Sequence, residues 1–281
     1  MPAQPENLQR QADICPIGAC ETSVLRIAAN VSTLFRELTL TDRFQAARVA
    51  GFDGVEIQFP YSEPAANLAR AAVEASIPVV LINAPVMPPT YPFGIAGHAE
   101  MRAAFRAQLP QIADYAQALG VRFVHVLAGT TPAPGDRERS ETQFVENLLF
   151  AAEVLAPRGI EVLIEALNPL DAPGYLVGSL EAALAILHRC NGQIGLQFDA
   201  YHIARMGLDP VGQLAGALPH VRHVQFADEP GRHEPGTGRI HFASLVSALN
   251  TCEYAGWLSA EYLPLTVTTA GLDWLRQWRQ W

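Results

Sequence analysis

Lysine is absent from this chain, so all 19 of its cationic side chains are arginine. Schiff-base aldolase chemistry, pyridoxal-phosphate catalysis and a phosphate-binding P-loop each need an ε-amine, and all three are thereby excluded. Positive charge is scarce overall: 19 cationic residues stand against 28 acidic ones, for a net charge of -9. Duplex binding draws on basic patches that counter phosphates, so a nucleic-acid partner is not expected. No apolar run approaches the roughly 18 residues of a membrane span, and the first residues lack a basic-then-apolar signal pattern. The reading is a cytoplasmic protein with no membrane partner. Cysteine is sparse too. Cys15, Cys20, Cys190 and Cys252 are scattered, and the first two lack a second ligand pair at zinc-finger spacing. They read as free thiols in a reducing compartment.

What the chain has in abundance is apolar residues, 49% of 281. That suffices for a large core, and one α/β barrel of ordinary size fits the length. Residues 1–24 are polar and proline-containing with no sustained period, and read as a loose N-terminal arm. Residues 25–281 then alternate short apolar runs with amphipathic stretches. Strands are expected at Leu25–Val31, Gly54–Phe59, Val79–Asn83, Arg122–Leu127, Ile160–Glu165, Ile194–Phe198, Val221–Phe226 and Trp257–Glu261. Helices are expected at Leu38–Ala50, Pro64–Ser76, His98–Leu119, Ser140–Ala156, Ser179–Arg189, Ala200–Met206 with a further one from Pro210, Phe242–Leu249 and Thr269–Trp278. Gly51 and Gly120 stand where helix stops belong. Continuously apolar strands alternating with helices mean a parallel sheet covered on both faces, and eight such units mean a closed (β/α)8 barrel, the TIM barrel. An open doubly wound sheet is disfavoured, because LRIAANVST carries no glycine-rich dinucleotide fingerprint.

Four apolar runs end in an oxygen-bearing side chain: Glu165, Asp199, Gln225 and Glu261. In such barrels chemistry sits where the C-terminal strand ends meet their loops. Neighbouring strands lie about 4.8 Å apart, so tips of successive strands can converge on one point. Three carboxylates and an amide suit a hard divalent metal, Mg2+ or Mn2+, better than zinc. Without a cation the carboxylates would raise one another's pKa. A rim residue bonded to loop backbone explains any single one of these positions; four successive strand ends favour a functional site. His202, in DAYH, is a candidate substrate hydrogen-bond donor, although a helix cap or core group explains it nearly as well. Arg232, in EPGRHEPGTGR, offers a guanidinium fork for a substrate carboxylate, against a solvated loop arginine. Asn83, before Pro85, is a candidate to orient a substrate hydroxyl, against a turn-forming side chain. Glu56 and His125 fall inside strands, where a filled barrel layer accounts for them equally well.

At these residues the chain resembles the hydroxypyruvate isomerase family, with its 2-oxotetronate isomerases, among the xylose isomerase-like barrels. The resembling segments are RIAANVSTLF, GFDGVEIQFPY, VLIEALNP, LQFDAYHIARM, HVQFADEPGRHEPGTGRI and the closing SAEY and AGLDW. They run in order from Leu25 to Trp281. The resemblance implies a divalent metal on Glu165, Asp199, Gln225 and Glu261, and an acid/base pair in Glu165 and Glu261. It implies a small hydroxy-oxo acid or sugar as substrate. One position departs: members commonly carry lysine after the tyrosine that follows the last glutamate, and here Leu263 stands there. The rival readings are a ketose 3-epimerase, which usually has histidine at the place of Gln225, and an endonuclease IV-like abasic-site nuclease. The latter needs further histidines for three zinc ions, where this chain has Asn83 and Gln225. A non-catalytic sugar-binding barrel is the third. The aromatic tail (Trp274, Trp278, Trp281) points to a homo-oligomer, unless it packs on its own barrel.

Overall fold

A strand followed by a helix recurs around a sheet that closes on itself in sequence order, with the first strand pairing the second and the last, all in parallel. The computed structural model describes residues 25–131 and 134–279, and the expected arm over residues 1–24 lies outside the described residues. The strands are β1 (Arg26–Asn30), β2 (Gly54–Ile57), β3 (Val79–Asn83), β4 (Phe123–His125), β5 (Glu161–Glu165), β6 (Gly195–Asp199), β7 (Val221–Phe226) and β8 (Trp257–Ala260). Around them run α1 (Asp42–Ala50), α2 (Ala65–Glu74), α3 (Arg102–Leu119), α4 (Arg137–Leu155), α5 (Leu180–Arg189), α6 (Ala200–Arg205), α7 (Pro210–Ala217), α8 (Phe242–Thr251) and α9 (Asp273–Trp278). This is the expected (β/α)8 barrel.

The helix stops fall where glycine permits them. Gly51 and Gly120 take φ of 98° and 66°, the left-handed conformation that ends a helix, and their N–H groups bond back to the last-turn carbonyls. Three helix starts are later than expected, and at α3, expected from His98, a 3-10 turn over Ala99–Met101 precedes the start at Arg102. Residues between Leu38 and Thr41 form a turn in which the Asp42 and Arg43 N–H groups bond the Thr39 carbonyl, so α1 begins at Asp42. Thr268–Gly271 likewise forms a 3-10 turn ahead of α9.

Period-two alternation sends Ile27, Val55, Ile82, Val124, Val162 and Leu196 outward, into the layer between barrel and helices. The lower barrel interior is apolar, with Ala28, Val80, Leu81, Phe123 and Leu163 closed from below by Trp257. The upper interior is polar: Asn30, Glu56, Gln197, His223, Gln225 and Ser259 are all buried there. Buried polar groups are expensive without partners, so this layer requires a hydrogen-bonded arrangement.

α9 folds the tail onto its own barrel. The rings of Trp274 and Trp278 lie 5.2 and 4.8 Å from that of Phe226, and Trp278 also meets Phe242 at 5.4 Å. Both indoles are buried within this chain. The aromatic argument for an oligomer therefore lapses for these two, and Trp281 lies outside the described residues. Among the described residues no helix is long and apolar enough to cross a membrane. Cys190 is buried and Cys252 exposed, both as free thiols, while Cys15 and Cys20 lie outside the described residues.

Candidate active site

The C-terminal ends of the strands open into a cavity of about 200 Å³, walled by Asn83, His125, Glu165, His202, Arg232 and Glu261 among others. The strand tips do not stand level. Glu165 pairs in register with Gln197, two residues below Asp199. Asp199 pairs with Gln225, and Gln225 with Ser259, two residues below Glu261. This stagger is the shear that barrel closure requires, and it puts a second polar residue of each strand beside the tip of its neighbour.

Glu165, Asp199 and Glu261 are each at most 5% exposed, so their chemistry is set by neighbours rather than by water. Glu165 Oε2 accepts from Gln197 Nε2 at 2.8 Å. Asp199 Oδ1 caps α6 by accepting from the Tyr201 N–H at 2.8 Å, while Oδ2 is buried with no hydrogen-bond partner among the described residues. Glu261 accepts from Asn30 at 3.0 Å, Gln58 at 3.0 Å and Gln225 at 2.6 Å, and pairs with the Arg232 guanidinium. Arg232 reaches toward Asp199 as well, at 3.7 Å, with its guanidinium carbon 5.0 Å from the Tyr201 ring centre.

The loop that delivers Arg232 is tied at both ends. Asp228 accepts from the backbone N–H groups of Glu229, Gly236, Gly238 and Ile240 at 2.8–3.0 Å. The Arg232 carbonyl accepts from the Leu263 N–H at 2.7 Å, and the Leu263 carbonyl lies 2.7 Å from His233 Nδ1. Leu263 thus contributes backbone, and its side chain stands exposed.

Burial pushes all three carboxyl groups upward. Glu165 is raised well above the usual range by burial and then by the charges of Asp199 and Glu261. Asp199 is pushed up by burial to about 6 and Glu261 to about 8, with Arg232 opposing in both cases. For Arg232 burial works downward, yet the surrounding carboxylates hold its pKa above the ordinary value. His202 is pulled well below its usual value by burial and then by Arg232.

His202 is neutral, and its tautomer follows from its partners. The backbone N–H of Asn168 donates to Nδ1 at 3.1 Å, so Nδ1 is the acceptor and Nε2 carries the proton. That Nε2–H faces Asp199 Oδ2 at 3.6 Å and Glu165 Oε1 at 3.8 Å. Ligand atoms of Glu165, Asp199 and His202 lie within 4.8 Å of one another. With one carboxylate oxygen unpartnered and two of the three carboxyl groups in that cluster, the donor chemistry fits a hard divalent cation, and the tautomer makes His202 a donor beside it.

The expected residues are therefore distributed unevenly. Glu165, Asp199 and His202 cluster; Glu261 lies beside Asp199 on the other side of Arg232; Asn83 lines the cavity wall. Gln225 is turned with its NH2 toward Glu56 (2.7 Å) and Glu261, and its oxygen accepts from Gln197 at 2.7 Å. Residue-by-residue reading passed over Asn30, Gln58, Gln197 and His223. A usable signal was present: strands end in polar pairs two apart, Glu56/Gln58, Gln197/Asp199, His223/Gln225 and Ser259/Glu261, which period two sends to the same inner face.

The profile of the family described as xylose isomerase-like TIM barrel matches residues 44–278. A 2-oxo-tetronate isomerase of Cupriavidus necator is 37% identical over 89% of this chain and 97% of its own length. The hydroxypyruvate isomerase of Escherichia coli is 35% identical over 91% of this chain and 100% of its own. A crystal structure from Brucella melitensis, described as an AP endonuclease of family 2, superposes with a TM-score of 0.87 at 36% identity, covering 90% of this chain and 98% of that one. On the profile match and on relatives aligned over most of the chain, this protein is an isomerase of the xylose isomerase-like TIM-barrel family.

Proposed function

We propose that the chain interconverts hydroxypyruvate and tartronate semialdehyde, or the homologous forms of 2-oxotetronate, by proton transfer between Glu165 and Glu261. The observation that carries this reading is a pair of buried carboxyl groups, both with raised pKa, facing one small cavity that also holds a guanidinium. A cavity of about 200 Å³ is below the roughly 300–1,000 Å³ of drug-sized ligand sites and suits an acid of three or four carbons.

Arg232 is the group to receive the substrate carboxylate, since a guanidinium fork matches a carboxylate in two bonds. Binding there replaces part of its pairing with Glu261 and leaves that carboxyl free for proton work. One glutamate takes a proton from the hydroxyl-bearing carbon next to the carbonyl, giving an enediolate. The other delivers a proton to the former carbonyl carbon, and the hydroxyl proton passes between the two oxygens, so the product is an isomer with nothing gained or lost. The reverse reaction uses the same pair in opposite order. Positioned acid/base groups typically contribute about 10²–10⁴-fold each. His202 Nε2–H and Asn83 would donate to substrate oxygens. Glu165, Asp199 and Glu261 would hold Mg2+ or Mn2+, which would supply positive charge for the developing oxyanion, whereas Gln225, expected as a fourth ligand, presents its NH2 rather than its oxygen to Glu261.

The test is turnover of hydroxypyruvate, 2-oxotetronate and a free ketohexose by the purified protein with Mg2+ or Mn2+. The reading requires turnover of at least one of the two acids in preference to the ketose. Ketose 3-epimerisation without turnover of either acid would overturn it.

A further inference from the structure

Beneath the cavity lies a fully buried pair that the proposed reaction leaves unused: Glu56 on β2 and His223 on β7, with 2.7 Å between Glu56 Oε2 and His223 Nε2. The other oxygen of Glu56 accepts from Asn30 Nδ2 at 2.8 Å and from Gln225 Nε2 at 2.7 Å. The same two NH2 groups also donate to Glu261 Oε2, at 3.0 and 2.6 Å. Two amides thus bridge two carboxyl groups, one deep in the barrel and one at the mouth. From the geometry we infer that Glu56 is a positioning residue, which fixes the orientation of the Asn30 and Gln225 amides and through them the carboxyl of Glu261. The inference rests on the two-glutamate reading for its effect on turnover, but its structural content stands separately.

The physical reason is the ambiguity of an amide. A carboxamide can turn about its last torsion and exchange oxygen for NH2 at little expense, so something must break the tie. Glu56 Oε1 accepts from both amides, and an amide oxygen turned toward it would face another oxygen. Gln225 must therefore present its NH2 to Glu56, which turns its oxygen toward Gln197. Gln197 must then present its own NH2 to Gln225 and to Glu165 Oε2, at 2.7 and 2.8 Å. One carboxyl group thus sets three amides, Asn30 and Gln225 directly and Gln197 through Gln225, and reaches both glutamates of the proposed reaction. Glu56, Gln197 and Gln225 are all buried, so a mismatched polar group there is left without a compensating partner.

Two variants separate orientation from charge. Glu56→Leu removes the acceptor. Glu56→Gln keeps one acceptor oxygen for the two amides if its NH2 turns to His223 Nε2, which is open to His223 because its Nδ1 has no hydrogen-bond partner among the described residues and can take the proton. The expected result is a fall in kcat of at least about 30-fold for Glu56→Leu with KM within about threefold, and recovery to within about threefold of wild type in Glu56→Gln. Melting temperatures of both variants establish that each is folded. Equal damage in both would mean that the charge matters and the orientation does not, and wild-type kcat in both would remove the role altogether. A second readout does not depend on turnover. The side-chain amide protons of Gln225, assigned in the NMR spectrum by their loss in Gln225→Met, should exchange with solvent at least about tenfold faster in Glu56→Leu and at the wild-type rate in Glu56→Gln. Unchanged exchange in Glu56→Leu would overturn the inference even if the substrate proposed above were wrong.

Discussion

Binding of a divalent cation should drive protons out of the site, and the number can be worked from the carboxyl groups. Without a cation, burial holds Glu261 at about 8 and Asp199 at about 6, with Glu165 also raised. At pH 7 a group of pKa about 8 is roughly ten to one protonated, and one of about 6 is roughly ten to one ionised. Ligation needs the deprotonated forms. Mn2+ binding at pH 7 should therefore release about one proton from Glu261 and a minor fraction from Asp199, with any proton on Glu165 in addition. Apparent affinity should rise by at least about tenfold per pH unit between pH 6 and 7 and continue upward toward pH 8. Calorimetric titration of the metal-free protein in two buffers of different ionisation enthalpy counts the protons directly. Release of none, with affinity flat between pH 6 and 8, would show that the three buried carboxyl groups are not holding protons in place of a cation.

The same shifts set a stability profile. Folded-state values above the unfolded ones, about 4.3 for glutamate and 3.9 for aspartate, mean that the folded protein binds the extra protons. Stability of the metal-free protein is then greatest below those values and declines as pH rises through about 6 and toward 8. Mn2+ should accordingly raise Tm more at pH 8 than at pH 5.5, and equal shifts would contradict the assignment. Trp274→Ala removes an indole packed against Phe52, Phe226, Tyr262 and Trp278. A loss of about 3–5 kcal/mol is expected, or roughly 6–20 °C in Tm; a drop under about 1 kcal/mol would mean that α9 is not a structural clasp. Asp228→Ala strips the acceptor from four backbone N–H groups of the Arg232 loop. KM for the acid substrate should rise by at least about tenfold, and an unchanged KM would separate Arg232 from substrate binding.

Most of the architecture was legible in the chain because barrel strands are buried on both faces and read as unbroken apolar runs. β3 and β7 match their expected bounds, Val79–Asn83 and Val221–Phe226. Helix starts were less legible, since Thr39 caps a turn rather than the helix itself, and nothing in Leu38–Thr41 signals that difference. At the site, Glu165, Asp199, Gln225 and Glu261 stood out as polar ends of apolar runs. The stagger between them did not, because register is a property of the closed sheet. For the same reason Glu56 read as part of a filled barrel layer, and His223 was not singled out. They are far apart in sequence and sit on strands that are not neighbours, and only closure of the barrel brings them to 2.7 Å.

The central claim is proton transfer through two glutamates, and the most direct measurement follows solvent deuterium into product. Hydroxypyruvate would be turned over in D2O with Mg2+ or Mn2+ by wild type, Glu165→Gln and Glu261→Gln, with the product carbons read by NMR. The account predicts deuterium at the carbon that was the carbonyl in wild type, and turnover reduced by at least about 10²-fold in each variant. Turnover without deuterium incorporation, or turnover that survives in Glu261→Gln, would contradict it.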